Sequence, residues 1–503
     1  MSTPNTSLDA EVKNQNDNFF REVRLKKLHE LYAAGVDPYP CHFNKTHEAE
    51  QLSELYSHLE KGQETEDVIK VAGRIRSMRN DGMFIDLHDT SGKIQVFSHI
   101  DFLPEKDLEL LKLLDLGDFI GVEGYIRRTP RGELTINSRN ITILCKTLLP
   151  LPEKYHGLND VEIRYRQRYL DLIMNPEARQ TLRQRSQIIS AIRAYLIDRD
   201  YLEVETPMLH SIPGGAAAKP FKTHHLALDM ELYLRIAPEL YLKRLVVGGL
   251  SEKVFEINRC FRNEGISTRH NPEFTSIEIY EAYADYYDMM GLAENLIRSA
   301  AQKVLGRSKL LYGDKELDLS GPWPRKSMID LVKEATGIDF LRFESALEAK
   351  AAAESLGIKV SHAENWGKIV EAVFAEKVEH TLIQPIHVID FPREISPLAR
   401  VHRDNPRLTE RFETYMNAWE IANAFSELID PIDQRERFEG QMSDRAAGDE
   451  EAHEMDQDFI TALEYGLPPT GGLGIGIDRV VMLLTNSPSI RDVIAFPTMR
   501  PKV

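Results

Sequence analysis

Cysteine is scarce in this 503-residue chain: Cys41, Cys145 and Cys260 are the only three. They stand too far apart for a disulfide framework or a zinc knuckle, which fits a reducing compartment. No apolar run approaches the roughly 18 residues needed to span a bilayer. The leading stretch MSTPNTSLDAEVKNQNDN lacks the basic-then-apolar pattern of a secretory leader. A cytoplasmic location with no membrane partner is therefore expected. No glycine-rich loop ending in Lys-Ser/Thr occurs, so phosphates are not cradled in the P-loop manner. Net positive charge is also missing, the formal value being -17. That argues only mildly against nucleic acid, because binding requires one local basic face.

What is present centres on Phe255 to Tyr280, FEINRCFRNEGISTRHNPEFTSIEIY. Both ends alternate at the strand period of two, around a loop rich in Gly, Ser, Asn and charge. Phe255, Ile257 and Phe261 share one parity, with Arg262 and Glu264 on the other. On the return, Ile277 and Ile279 oppose Phe274, Glu278 and Tyr280. Two antiparallel strands would bury the isoleucines and present a face with an arginine, two carboxylates, a phenyl ring and a phenol. Arg262 offers a planar fork for phosphate or carboxylate. Phe274 offers a ring for a base, and Arg269 and His270 sit on the loop. A hairpin with a salt-bridged wet side would read the same way.

The chain before this stretch supplies a second binding surface. Residues 1 to about 17 are polar and expected to be disordered. A helix with a basic face follows from Asn18 to Ala34, ended by Gly35; such a face is commonly just solvated, and it could also touch phosphates. Residues 68 to 145 read as five strands, with the helical run EKDLELLKLL after the third, the order of an OB barrel. Ile85, Leu87, Ile94 and Val96 point inward, leaving Phe84, Gln95 and Phe97 outward. Exposed rings beside a polar side chain suit unpaired bases, although a neighbouring domain covering this face would also account for them. Next come a proline-punctuated linker and an arginine-studded helix, whose arginines meet either nucleic-acid phosphates or nearby carboxylates. An amphipathic helix spans 176 to 200, and Pro213 to Ala218 forms a loop of small residues that permits close backbone approach. Glu239 opens a helix after Pro238, itself a routine dipole match. Residues 291 to 385 read as mostly helical. In TERFETYMNAWEIANAFSEL, Asn423, Phe425 and Glu427 share a face, and Glu413 and Glu420 flank a hairpin turn. Paired carboxylates beside arginines suggest Mg²⁺ held with nucleotide phosphates, although such acids are often structural. GGLGIGIDRVVMLL, 471 to 484, delivers Arg479 at a helix start.

Phe261-Arg262-Asn263-Glu264-Gly265, then His270-Asn271-Pro272-Glu273-Phe274-Thr275, resembles motif 2 of class II aminoacyl-tRNA synthetases. Pro207 is similar to the proline of motif 1, and the segment at Arg479 to motif 3. The class I signatures His-x-Gly-His and Lys-Met-Ser-Lys-Ser are absent. Within class II the details are most similar to the bacterial lysine-specific family of class IIb. The resemblance implies an α+β protein: a five-stranded OB barrel plus a catalytic domain on an antiparallel sheet flanked by helices. The implied division is an N-terminal extension at 1–66, the barrel at 67–150, a linker at 151–175 and the catalytic domain at 176–503, with a helical insertion at about 340–385. It further implies a homodimer that joins L-lysine to tRNA(Lys) using ATP and Mg²⁺. By resemblance Arg262, His270 and Arg479 are catalytic; Arg262, Glu264, His270, Asn271, Phe274 and Arg479 bind ATP; Glu413 and Glu420 carry the metal. Gly215, Glu239, Arg262, Glu278, Tyr280, Asn423, Phe425 and Glu427 hold lysine. Arg76, Phe84, Gln95, Phe97 and Glu133 meet the anticodon. One departure stands out: Asn417-Ala418-Trp419, Ala422 and Ala424 replace smaller or glycine residues, implying extra methyl groups beside the substrate.

Overall fold

The computed structural model describes residues 6–152, 158, 160–216, 218–360, 365–446 and 454–501, with backbone alone at 6–17 and 444. Two compact units divide the chain, Met1–Gly157 and Leu158–Val503. Among the described residues no helix is long and apolar enough to cross a membrane.

In the first unit, alternation closes five strands into a barrel ordered β1-β2-β3-β5-β4. They are β1 (Glu64–Arg79), β2 (Phe84–His88), β3 (Lys93–Phe97), β4 (Phe119–Arg128) and β5 (Leu134–Cys145). Ile75, Ile85, Leu87, Val96, Ile120 and Ile136 fill its interior. The helix Glu105–Leu113 caps it, with Asp107 Oδ2 accepting from the Ile141 amide at 3.0 Å. The N-terminal helix is longer than expected, running Thr6–Ala33. Residues 6 to 17 contain neither Gly nor Pro, so nothing stops propagation of a helix nucleated further on. Part of its basic face is structural: buried Arg24 donates to Thr147 Oγ1 at 2.7 Å and to the Leu149 carbonyl at 2.9 Å. Lys27 pairs with Asp115, while Arg21 and Lys26 are exposed.

The second unit opens with the short helices Val161–Arg166 and Arg168–Met174. Their arginines meet carboxylates, Arg164 and Arg168 pairing with Asp171 and Arg166 with Glu162; linker residues 153–157 and 159 lie outside the described residues. After the helix Pro176–Ile197 comes β6 (Leu202–Glu203), then a small sheet of β7 (Leu209–His210), β8 (Phe221–His225) and β9 (Met230–Leu234). The helix Glu239–Val247 leads into β10 (Lys253–Phe261) and β11 (Glu273–Ala282). Residues 291 to 385 are not uniformly helical. They include the hairpin β12 (Lys309–Tyr312) and β13 (Lys315–Asp318) and the edge strand β14 (Arg325–Ser327). The turn at Gly313-Asp314, with Gly313 at φ +59°, is the local signal for that hairpin. The helices Met328–Thr336, Ala346–Ser355 and Trp366–Lys377 share a separate core around Phe340, Trp366 and Phe374; residues 361–364 of the expected insertion lie outside the described residues. β15 (Ile386–Ile389), β16 (Arg411–Met416), β17 (Trp419–Ser426) and β18 (Thr470–Gly476) complete the main sheet, ordered β14-β15-β16-β17-β18-β11-β10-β6. It is antiparallel except at its two edge pairs. Register sets its faces: Ile277 opposite Phe255's neighbour Ile257, and Ile475 opposite Ile277, turn toward the helices Tyr286–Leu305 and Ile477–Leu484. The opposite parity lines a cavity.

Candidate active site

The cavity floor is built from β11, β17 and β18, where Glu278 and Tyr280 face Gly474 and Gly472 across the ladder. The face is desolvated, not wet. Glu256, Glu278 and Tyr280 are buried, and Tyr280 Oη donates to Glu278 Oε2 at 3.0 Å. Burial, reinforced by nearby Glu239, pushes the Glu278 carboxyl up to about 8. Glu427 stands just behind this floor and is likewise pushed up to about 8 by burial, against the opposing pull of Lys243. Bare glycine is required in front of it: a Cβ at Gly472 would lie 1.9 Å from Glu427 Oε1 and 2.7 Å from the Tyr280 ring. Glu239, buried in the first turn of its helix, and Gly215, at φ +89°, form the adjoining wall. Ala217 of that loop lies outside the described residues. Asn423 and Phe425 project from β17 into the same cavity, and Asn423 Oδ1 accepts from Arg411 Nε at 3.1 Å.

The mouth is cationic and aromatic. Arg262 follows β10 directly, its backbone N–H continuing the ladder to the Pro272 carbonyl at 2.9 Å. Its guanidinium lies 5.1 Å from the Phe274 ring centroid, and its buried Nε has no partner among the described residues. Arg479 projects from the first turn of Ile477–Leu484 and lies 3.2 Å from His270 Nε2. Burial and the Arg479 charge lower the His270 pKa, keeping the ring neutral. Glu264 and Arg269 sit exposed on the intervening loop. Asn271 lines the cavity with its side chain engaged, donating to the Glu273 carbonyl at 2.6 Å and accepting from the Thr498 amide at 3.2 Å.

Glu413 and Glu420 stand at one end. The hairpin register places them opposite Asn423 and Tyr415, with a bulge between Thr414 and Tyr415. Glu420 lines the cavity and Glu413 stands behind it. Burial first, and Glu420 next, push Glu413 up to about 7, while Arg411 and the Tyr415 hydroxyl bond it at 2.6 and 2.7 Å. Among the described residues no three His, Cys, Asp or Glu side chains converge as a metal cage. Glu413 pairs with Arg411 and Glu420 lies 3.6 Å from Arg479, and two carboxylates at this edge fit a divalent cation whose other ligands are phosphate and water oxygens.

On the barrel, Phe84 and Phe97 stand with ring centroids 5.0 Å apart. Arg127 lies 4.5 Å over Phe97, and His99 stacks against the same ring with centroids 5.6 Å apart. Gln95 accepts from Thr135, Glu133 pairs with Lys93 at 3.6 Å, and Arg76 occupies a bulge of β1.

Residues 160–500 match the family described as tRNA synthetases class II (D, K and N), and residues 69–144 the OB-fold nucleic acid binding domain. The lysine–tRNA ligase of Rhizobium meliloti (strain 1021) is 56% identical over 481 residues, 96% of this chain and 97% of that one. Those of Moorella thermoacetica and Carboxydothermus hydrogenoformans are each 54% identical over 493 residues, 98% of this chain and 100% of theirs. The chain belongs to the lysine–tRNA ligase family of class II synthetases.

Two features of this synthetase escaped sequence reading. Lys243, fully buried, pairs with Glu239 at 2.6 Å and with Glu427; the signal was its position four residues after Glu239 on one helix face. Arg127 and His99 flank the barrel rings, a placement that needs cross-strand register. The methyl groups expected to crowd the substrate are mostly core: Ala424 is fully buried on the helix side, and Trp419 packs edge-on to Tyr312. Ala422 alone of these also touches the cavity.

Proposed function

We infer that the chain is a lysine–tRNA ligase, joining L-lysine to ATP as lysyl-adenylate and then to the 3′ end of tRNA(Lys). One observation carries the amino-acid assignment: a desolvated cavity end floored by Glu278 and the Tyr280 hydroxyl, with the buried Glu427 carboxyl directly behind Gly472. A buried ε-ammonium demands such compensation, and an aspartate or asparagine site would present positive or neutral groups there. The lysine carboxylate oxygen attacks the α-phosphorus, and the bond to the β-phosphate oxygen breaks, releasing pyrophosphate. The terminal ribose hydroxyl of tRNA then attacks the lysyl carbonyl and AMP leaves.

No side-chain nucleophile enters either step, so positioning and charge neutralisation do the chemistry. Arg262 holds the attacking carboxylate beside the α-phosphate with its planar guanidinium fork. Phe274 and Arg479 sandwich the adenine, Glu264 takes its exocyclic amine, Asn271 shapes the adjoining wall, and His270 with Arg479 meets the departing phosphates. Glu239 and the Gly215 backbone take the α-amino group; Asn423 and Phe425 flank the aliphatic chain. Glu413 and Glu420 would hold Mg²⁺, which supplies charge neutralisation at the phosphates. The barrel rings Phe84 and Phe97, with Arg76, Gln95 and Glu133, meet the anticodon bases. A homodimer built through the 176–200 helix and the Pro207 segment, working in the cytoplasm, completes the reading, as do an N-terminal extension, linker and insertion near 1–66, 151–175 and 340–385. Amino-acid-dependent ATP–pyrophosphate exchange across all twenty amino acids tests it. Lysine alone should support exchange; exchange with aspartate or asparagine, or with none, would overturn it.

A further inference from the structure

Lys243 is an unusual resident of a site for a cationic substrate. Its side chain is fully buried on the helix Glu239–Val247, and its Nζ donates to Glu239 and forms an ion pair with Glu427. The Tyr280 and Phe459 rings lie 5.9 and 5.8 Å from it. Glu427 Oε1 has no hydrogen-bond partner among the described residues and faces bare Gly472. The neighbouring charges divide cleanly. Arg235 and Glu256 neutralise each other at 2.7 Å, both buried, and Cys260 is held neutral by burial. Arg262 stands at the mouth, available to the substrate carboxylate. Glu239, Glu278 and Glu427 remain, with Lys243 the cation paired to the first and last of them among the described residues.

Resting on the lysine–tRNA ligase reading, we propose that Lys243 is a positioning and specificity-determining residue. Its ammonium offsets one of the three carboxylates, so that in the loaded site the remaining two face the two ammonium groups of lysine. It also pulls the Glu427 carboxyl down against the upward push of burial, readying it behind Gly472, where the substrate side chain ends, to give up its proton when lysine arrives. An acid-lined site without this cation would carry a third negative charge in a dry cavity and would take up a proton instead. Tyr280 donates to Glu278, and among the described residues Lys243 is the side chain that pairs with Glu427.

The test compares wild type with Lys243→Met, Lys243→Gln and Lys243→Arg. Lysine binding is measured by calorimetry in buffers of different ionisation enthalpy, which counts protons released, and by the lysine and ATP KM of pyrophosphate exchange. In Lys243→Met at pH 7, lysine should release about one proton more than in wild type. Its lysine KM should rise about tenfold or more and fall back toward wild type as pH approaches 8.5, while the ATP KM stays within about twofold. Lys243→Gln, which can still donate to both carboxylates, should behave alike and serves where Met does not fold. Lys243→Arg should retain the wild-type proton count. A lysine KM and proton count equal to wild type in a folded neutral variant would overturn the proposal. So would loss of lysine and ATP affinity together without a change in proton count, since that marks a purely structural lysine. If wild type itself neither binds lysine nor exchanges with it, the ligase reading fails instead.

Discussion

Glu278 carries the sharpest residue-level consequence of the charge argument. Replacing it with Gln leaves a desolvated ε-ammonium undercompensated, a loss of about 3–5 kcal/mol for removing one partner of a buried pair. At about 1.4 kcal/mol per decade, the lysine KM in pyrophosphate exchange should rise by two to three decades. ATP KM should hold, because the residues proposed to carry adenine and phosphates are Phe274, Arg479 and Arg262. An unchanged lysine KM would make Glu278 scaffold. The same carboxyl predicts a pH dependence. Its native pKa of about 8 lies above its ordinary 4.5, so between those values the empty native protein binds protons that the unfolded chain has released. This group therefore lowers stability as pH rises through that window. Bound lysine favours the ionised carboxylates and expels those protons. The lysine-induced rise in Tm should consequently be larger at pH 8 than at pH 6, and Glu278→Gln should flatten that difference. A thermal shift equal at both pH values would contradict the linkage.

At the scale of the element, the β16–β17 hairpin positions Glu413, Glu420, Asn423 and Phe425 together. Its two-residue turn places Asn417 at φ +53° and Ala418 at φ +58°, the left-handed geometry that hairpins prefer and that asparagine tolerates but alanine resists. Tertiary bonds hold it there: the amides of Asn417 and Ala418 donate to the carbonyls of Ile383 and Leu382, each at 2.8 Å. Ala418→Gly should therefore stabilise the protein by about 1 kcal/mol, read as a raised midpoint in urea unfolding, with pyrophosphate exchange unchanged. Destabilisation would mean that the methyl group packs productively and outweighs the backbone strain.

For the whole molecule, the proposed chemistry falls in one compact unit and the proposed anticodon surface in the other. Phe84→Ala removes half of the paired-ring platform on the barrel. Stacking is worth about 1–3 kcal/mol per base, so the tRNA KM for aminoacylation should rise by roughly 5- to 150-fold. Pyrophosphate exchange without tRNA should be untouched. An equal fall in both activities would make Phe84 a structural residue.

Local pattern sufficed wherever a short-range rule decides placement. Period-two alternation separated Ile277 and Ile279 from Glu278 and Tyr280, and in the barrel Ile85 and Leu87 from Phe84, because a strand leaves each side chain only two faces. The helix start at Arg479 and the turn before Trp419 were legible for similar reasons. Other outcomes hung on what meets what across the fold. Parity put Glu278 on a face, but only the helix Glu239–Val247 and the packing around Phe459 made that face dry. Ala422 and Ala424 share one parity, yet packing left the first at the cavity and sealed the second in the core. Lys243 reads as an ordinary helix-surface lysine until the strand carrying Glu427 is laid against it. Sequence periodicity specifies direction; burial and charge compensation are properties of pairs of elements, and those pairs exist only once the sheet has closed over its helices.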